Sequence, residues 1–153
     1  MEKEGVGYAY FPLFTRMEGT HVLVFGAGMI AARRVAALAG TACTLTVVAP
    51  ECGEEMQQLL AAHKERITYH RDVYRGGCLA EEDMDFVLAA TSDAAVNEAI
   101  YRECRHREIP VNVASDQEMC DFHFPGIAVE GTVTVGINAA GLDHRLAKRT
   151  REQ

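Results

Sequence analysis

The chain has 153 residues, 48% hydrophobic and 24% charged, enough for one domain with a substantial core. No apolar run approaches the roughly twenty residues that cross a bilayer, and Met1-Glu2-Lys3-Glu4-Gly5 lacks the basic and apolar regions of a secretion signal, so a cytoplasmic protein without membrane contact is expected. A net charge of −7 disfavours nucleic acid as partner, while five cysteines without a Cys-x-x-Cys pair and six scattered histidines disfavour a disulfide framework or a preorganised metal site.

The first predicted strand is the apolar run His21-Val22-Leu23-Val24-Phe25, which enters Gly26-Ala27-Gly28-Met29-Ile30-Ala31. This is the Gly-x-Gly-x-x-Ala pattern of a dinucleotide-binding turn. Its first glycine permits the tight bend, the second lets backbone approach a pyrophosphate, and the small third residue lets helix and strand pack closely. A purely structural tight turn is the alternative reading, and context separates the two. A helix predicted from Met29 to Ala39 ends at Gly40, and a second apolar run, Cys43 to Val48, follows, completing the strand-helix-strand unit that the fingerprint requires.

Pro50 to Lys64 carries Met56, Leu59 and Leu60 at helical spacing, and Arg66 to His70 is strand-like. After an acidic loop at Glu81, Glu82 and Asp83 come an apolar strand, Phe86 to Ala90, a helix from about Ala94 to Glu108, and a strand, Pro110 to Ala114. The alternation predicts an α/β, Rossmann-like doubly wound parallel sheet. Phe122 to Val129 and Thr132 to Ile137, separated by Glu130-Gly131, predict a β-hairpin. A loop then leads into the start of a basic helix, where Arg145, Lys148, Arg149 and Arg151 face the single Glu152. Residues 1–114 are expected to form the nucleotide-binding domain and residues 115–153 a hairpin and helical segment.

In such sheets ligands lie beyond the carboxyl ends of the strands, near the switch in strand order. The candidate cofactor-binding residues are therefore Gly26, Gly28, Met29 and Ile30, then Pro50 and Glu51, then Thr91, Ser92 and Asp93, with Ser115 and Asp116 following the last parallel strand. NAD is the expected cofactor. The acid that usually holds the adenosine ribose is displaced, because the second strand ends Val48-Ala49-Pro50 and the first carboxylate is Glu51; the choice between NAD and NADP stays open. Thr91 and Ser92 are expected to hydrogen-bond the nicotinamide side, with helix capping by this segment as the plainer alternative. Of Arg33 and Arg34, at least one is expected to be a solvent-facing helix charge.

Four ordered elements resemble the precorrin-2 dehydrogenase and sirohydrochlorin ferrochelatase family of siroheme biosynthesis. They are Tyr10-Phe11-Pro12-Leu13-Phe14; the glycine turn with Arg33-Arg34; Ala89-Ala90-Thr91-Ser92-Asp93-Ala94-Ala95-Val96-Asn97; and Val111-Asn112-Val113 with Cys120 to Gly126. The resemblance implies NAD-dependent dehydrogenation of precorrin-2 to sirohydrochlorin, in some members ferrous iron insertion, and a homodimer. It also implies a catalytic group after the fifth strand. The family's aspartate position is occupied by Ser115, so Asp116, Ser115 and His123 are the candidate catalytic residues. Asn112, Asn138, His144, Arg145 and Lys148 are the candidate contacts to a substrate bearing eight carboxylates. Two rivals remain: a non-catalytic nucleotide-sensing domain, which leaves the hairpin and basic tail unexplained, and a tetrapyrrole-binding pseudoenzyme.

Overall fold

The computed structural model describes residues 9–138 and 149–152. By internal contacts the chain divides into two compact units: residues 16–122, and residues 1–15 together with 123–153. The sequence placed a boundary at 114/115. Residues 115–122 stay with the sheet because Asp121 accepts from the Val111 N–H at 3.0 Å and the Phe122 carbonyl accepts from Asn112 Nδ2 at 2.8 Å.

The larger unit holds five parallel strands, β1 (His21–Phe25), β2 (Thr44–Ala49), β3 (Ile67–Arg71), β4 (Phe86–Ala89) and β5 (Val111–Val113), in the order β3-β2-β1-β4-β5. The interior strands are nearly continuous apolar runs because both sheet faces are covered. Val22 to Phe25 and Val87 to Ala89 are all buried. Edge strand β3, by contrast, buries only Ile67 fully.

Three helices connect these strands: α1 (Met29–Ala39), α2 (Glu54–Ala62) and α3 (Ala94–His106). Right-handed crossovers place α1 and α2, which pack together, on one face and α3 on the other. The small buried residues of α1, Ala31, Ala32, Val35 and Ala39, allow its close approach to the sheet. On the opposite face Leu23, Phe25, Val87, Ala89, Val111 and Val113 meet Ile100 and Cys104 of α3.

Several boundaries differ from the sequence reading. Helix α2 starts at Glu54 rather than Pro50, because residues 50–53 turn back toward α1, with the Gly53 N–H bonded to the Ala27 carbonyl at 3.0 Å. Gly40 ends α1 in a right-handed conformation, φ −72°, so its flexibility is not used there. A 3-10 turn, Cys78–Ala80, occupies the crossover from β3 to β4.

That crossover is stapled by Glu103 of α3. Its carboxylate accepts from the Tyr74 hydroxyl at 2.5 Å, the N–H groups of Gly77 and Leu79 at 3.1 and 3.2 Å, and Arg107 Nε at 3.1 Å. Burial opposes its charge, but these donors prevail and hold the carboxyl below its ordinary range.

In the smaller unit, β6 (Gly126–Glu130) and β7 (Val133–Ile137) form the antiparallel hairpin. The predicted strand from Phe122 begins only at Gly126, since Pro125 has no N–H to give a ladder.

Candidate functional site

The strand order reverses between β1 and β4, so the crevice beyond their carboxyl ends is where such sheets bind ligands. Four loops meet there, and each is shaped by a specific contact.

Gly26 follows β1 with φ +109°, its N–H bonded to the Val48 carbonyl at 2.9 Å. A Cβ at this position would stand 2.2 Å from the Ala90 carbonyl oxygen, so the fold itself demands glycine. Gly28 differs: a Cβ there would meet nothing within 4 Å. Its lack of a side chain serves no internal packing and instead leaves open space before the start of α1.

Gly28 is the N-cap of α1 and provides no side-chain cap. The first-turn N–H groups, those of Met29 and Ile30 included, have no acceptor within the helix and suit a pyrophosphate. The residues present therefore fit a dinucleotide. The Met29 and Ile30 side chains are more than half exposed beside this cradle. Arg33 is exposed whereas Arg34 is half-buried, and burial lowers its pKa, so only the first is a simple surface charge.

The sequence reading did not single out Gly53. It closes the β2–α2 loop against the turn, and a Cβ would lie 2.8 Å from the Ala27 carbonyl oxygen. A glycine just before a predicted helix was its only signal. Pro50 and Glu51, in the same loop, are exposed at the end of β2.

The Thr91–Asp93 loop is organised from within α3. Asn97, wholly buried, accepts at Oδ1 from the Thr91 N–H (3.0 Å) and hydroxyl (2.7 Å), and its Nδ2 donates to the Thr91 carbonyl (3.1 Å) and Ser115 Oγ (3.2 Å). Asp93 caps α3, accepting from the N–H groups of Ala95 and Val96 at 2.9 and 3.3 Å. Thr91 and Asp93 thus have structural duties, and Ser92 is the exposed hydroxyl of the three.

Ser115 and Asp116 both lie just beyond β5. Asp116 Oδ1 accepts from the Glu118 N–H at 2.9 Å, capping the 3-10 turn Gln117–Met119. Asn112 points into the protein at 3% exposure. Its Nδ2 is bonded to the Phe122 carbonyl and its Oδ1 has no partner among the described residues, so it is not at the crevice surface.

His123 and Asn138 belong to the smaller unit. The His123 ring meets Tyr10 edge-on with centroids 4.6 Å apart, and Asn138 is exposed after β7. His144, Arg145 and Lys148 fall outside the described residues. A separate cavity of about 530 Å³ lies under the β3–β4 crossover, floored by Leu23, Phe25 and Val48. Among the described residues no helix is long and apolar enough to cross a membrane.

Comparison with known proteins agrees with this geometry. The chain is 36% identical over 140 residues to a siroheme synthase of Hydrogenovibrio crunogenus, covering 91% of this chain and 29% of that protein. It is 34% identical over 147 residues to a probable multifunctional siroheme biosynthesis protein HemA of Ruminiclostridium josui, covering 95% and 28% respectively. It spans under a third of the length of these curated relatives. Among solved structures, SirC, a precorrin-2 dehydrogenase, superposes with a TM-score of 0.73 at 27% identity, covering 94% of this chain and 68% of that one. A family model described as putative NAD(P)-binding matches residues 13–126 and takes in the glycine turn, the Asn97-centred loop and Ser115 alike: the chain belongs to that NAD(P)-binding family.

Proposed function

We propose that the chain catalyses NAD-dependent dehydrogenation of precorrin-2 to sirohydrochlorin in siroheme biosynthesis, in the cytoplasm and as a homodimer. The observation that carries this reading is the open cradle at Gly28, beside strand ends β4 and β5 locked together by Asn97. The likeness to siroheme synthases and to SirC over more than nine-tenths of the chain supports the substrate.

When bound, NAD supplies the acceptor for a hydride leaving the macrocycle. The protein's work is then orientation and removal of one proton. First-turn N–H groups of α1 would hold the pyrophosphate, and Ser92 would offer a hydrogen bond to the nicotinamide end. Asp116 Oδ2, which has no hydrogen-bond partner among the described residues, takes the proton while Oδ1 stays fixed by the Glu118 N–H. His144, Arg145 and Lys148 bind substrate carboxylates. Iron insertion gains no support from this site: where the resemblance calls for a carboxylate the chain has Ser115, whose Oγ accepts a hydrogen bond from Asn97 Nδ2.

Two features support the remaining parts. All five cysteines are free, as suits a reducing compartment. Ile127 and Val129 are exposed on one face of the hairpin and Val133 and Val135 on the other, and a second copy seated on either face would cover apolar side chains.

The test is anaerobic absorbance of precorrin-2 incubated with the protein and NAD. Sirohydrochlorin forming with an equal amount of NADH is the expected result. NAD binding without conversion of precorrin-2 would favour the nucleotide-sensing or pseudoenzyme reading.

A further inference from the structure

The end of β2 decides how a bound dinucleotide is read at its adenosine ribose. Here that end has no carboxylate, and its two last carbonyls are already engaged from β3. The Ala49 carbonyl accepts from the Tyr69 hydroxyl at 2.8 Å and the Asp72 N–H at 3.2 Å, and the Pro50 carbonyl accepts from Arg71 Nε at 3.0 Å. A ribose 2′-hydroxyl seeking an acceptor at the strand end finds these taken. What it meets is a cation.

Arg71 is the last residue of β3, in register with Ala49. Its side chain is exposed and tethered through Nε to the Pro50 carbonyl. Its terminal NH₂ groups have no carboxylate within ion-pair distance among the described residues, since neighbouring Asp72 is paired with Arg75 at 2.7 Å. A guanidinium held at Nε presents its other nitrogens as a fork suited to a phosphate. Glu51, one residue past Pro50, is the nearest carboxylate in sequence to the strand end; it is exposed on the loop that Gly53 closes against Ala27, and unlike Arg71 no side-chain hydrogen bond ties it to the strand end among the described residues.

We infer that Arg71 reads the 2′ position of the adenosine ribose, so that the site accepts the 2′-phosphorylated dinucleotide, NADP, at least as well as NAD. The inference rests on the dinucleotide-binding reading of the glycine turn and adds the chemistry of its far end.

Calorimetric titration with two fragments, adenosine 2′,5′-bisphosphate and 5′-AMP, tests it without turnover. The bisphosphate is expected to bind at least tenfold tighter, with the advantage shrinking as salt is raised. Arg71→Ala should abolish that advantage while leaving 5′-AMP affinity and the far-ultraviolet circular dichroism unchanged, and Arg71→Lys should keep part of it. Equal binding of the two fragments by the parent protein, or an advantage that survives in Arg71→Ala, would overturn the assignment to Arg71 while NAD binding still upheld the cradle. Loss of all binding, NAD included, would overturn both.

Discussion

Asn97 Nδ2 lies 3.2 Å from Ser115 Oγ, and through this contact a residue buried in α3 joins the end of β4 to the end of β5. The same side chain makes three further hydrogen bonds to Thr91, so the amide spends its capacity on holding two loops of the crevice in one geometry. A serine hydroxyl that accepts from Asn97 keeps its own proton to give. Position 115 therefore has a proton to donate, and the proposed proton acceptor is Asp116 instead.

Asn97→Ala should remove these bonds at once and leave the Thr91 N–H and carbonyl poorly paired. The expected loss is about 3 kcal/mol of unfolding free energy, the cost of stranding buried polar groups, measured by urea denaturation. A loss below about 1 kcal/mol would mean that water replaces the amide without strain.

Substitutions at the two glycines of the turn should separate folding from binding. Gly26→Ala drives a Cβ into the Ala90 carbonyl and strains a positive φ, so a destabilisation above about 4 kcal/mol is expected. Gly28→Ala fills only open space, and stability should change by no more than about 1 kcal/mol, the range of an N-cap substitution. Its NAD dissociation constant should nevertheless rise at least about tenfold, equivalent to ~1.4 kcal/mol. Thermal denaturation and equilibrium binding on both variants provide the check.

The proposed role of Asp116 separates from its capping role in Asp116→Asn. Asparagine caps a turn about as well as aspartate, so stability should be retained within about 0.5 kcal/mol. Turnover of precorrin-2 should fall by about a hundredfold, the lower range for removal of a general base. Wild-type rates in this variant would assign proton removal to solvent.

Glu103 should govern part of the acid sensitivity of the fold. Its folded-state pKa lies below the ordinary 4.5, so the stability it contributes is fully present above that value and is lost as the pH falls through the lower folded one. Glu103→Gln should cost roughly 2 kcal/mol at pH 7 by breaking charged hydrogen bonds, and should flatten the decline in stability below about pH 5. Urea titrations from pH 7 to pH 3 on both proteins test the sign as well as the size.

A homodimer joined through the hairpin predicts that Val129→Glu together with Val133→Glu lowers the sedimenting mass to that of a monomer. Both residues are more than half exposed, so the far-ultraviolet circular dichroism should not change. A parent protein that already sediments as a monomer would remove the dimer from the proposed function.

The sequence by itself determined the alternating strands and helices, the glycine turn and the hairpin. These are written in the spacing of neighbouring residues: continuous apolar runs at β1 and β4, helical spacing of small residues in α1, and glycines where backbone must bend or leave room. It also pointed to the loops after β1, β2, β4 and β5, because parallel strands send their carboxyl ends to one edge. The tertiary structure decided which side chains in those loops are already engaged. Thr91 is bound to Asn97, Asp93 to the first turn of α3, and Asn112 to the carbonyl of Phe122. It alone set Gly53 against Ala27 and Arg71 against Pro50. Ser115 meets Asn97 across 18 residues of chain and Arg71 meets Pro50 across 21, and local patterning does not specify which hydrogen bonds will form at such separations. They follow from strand order and register, which exist only once the sheet is assembled.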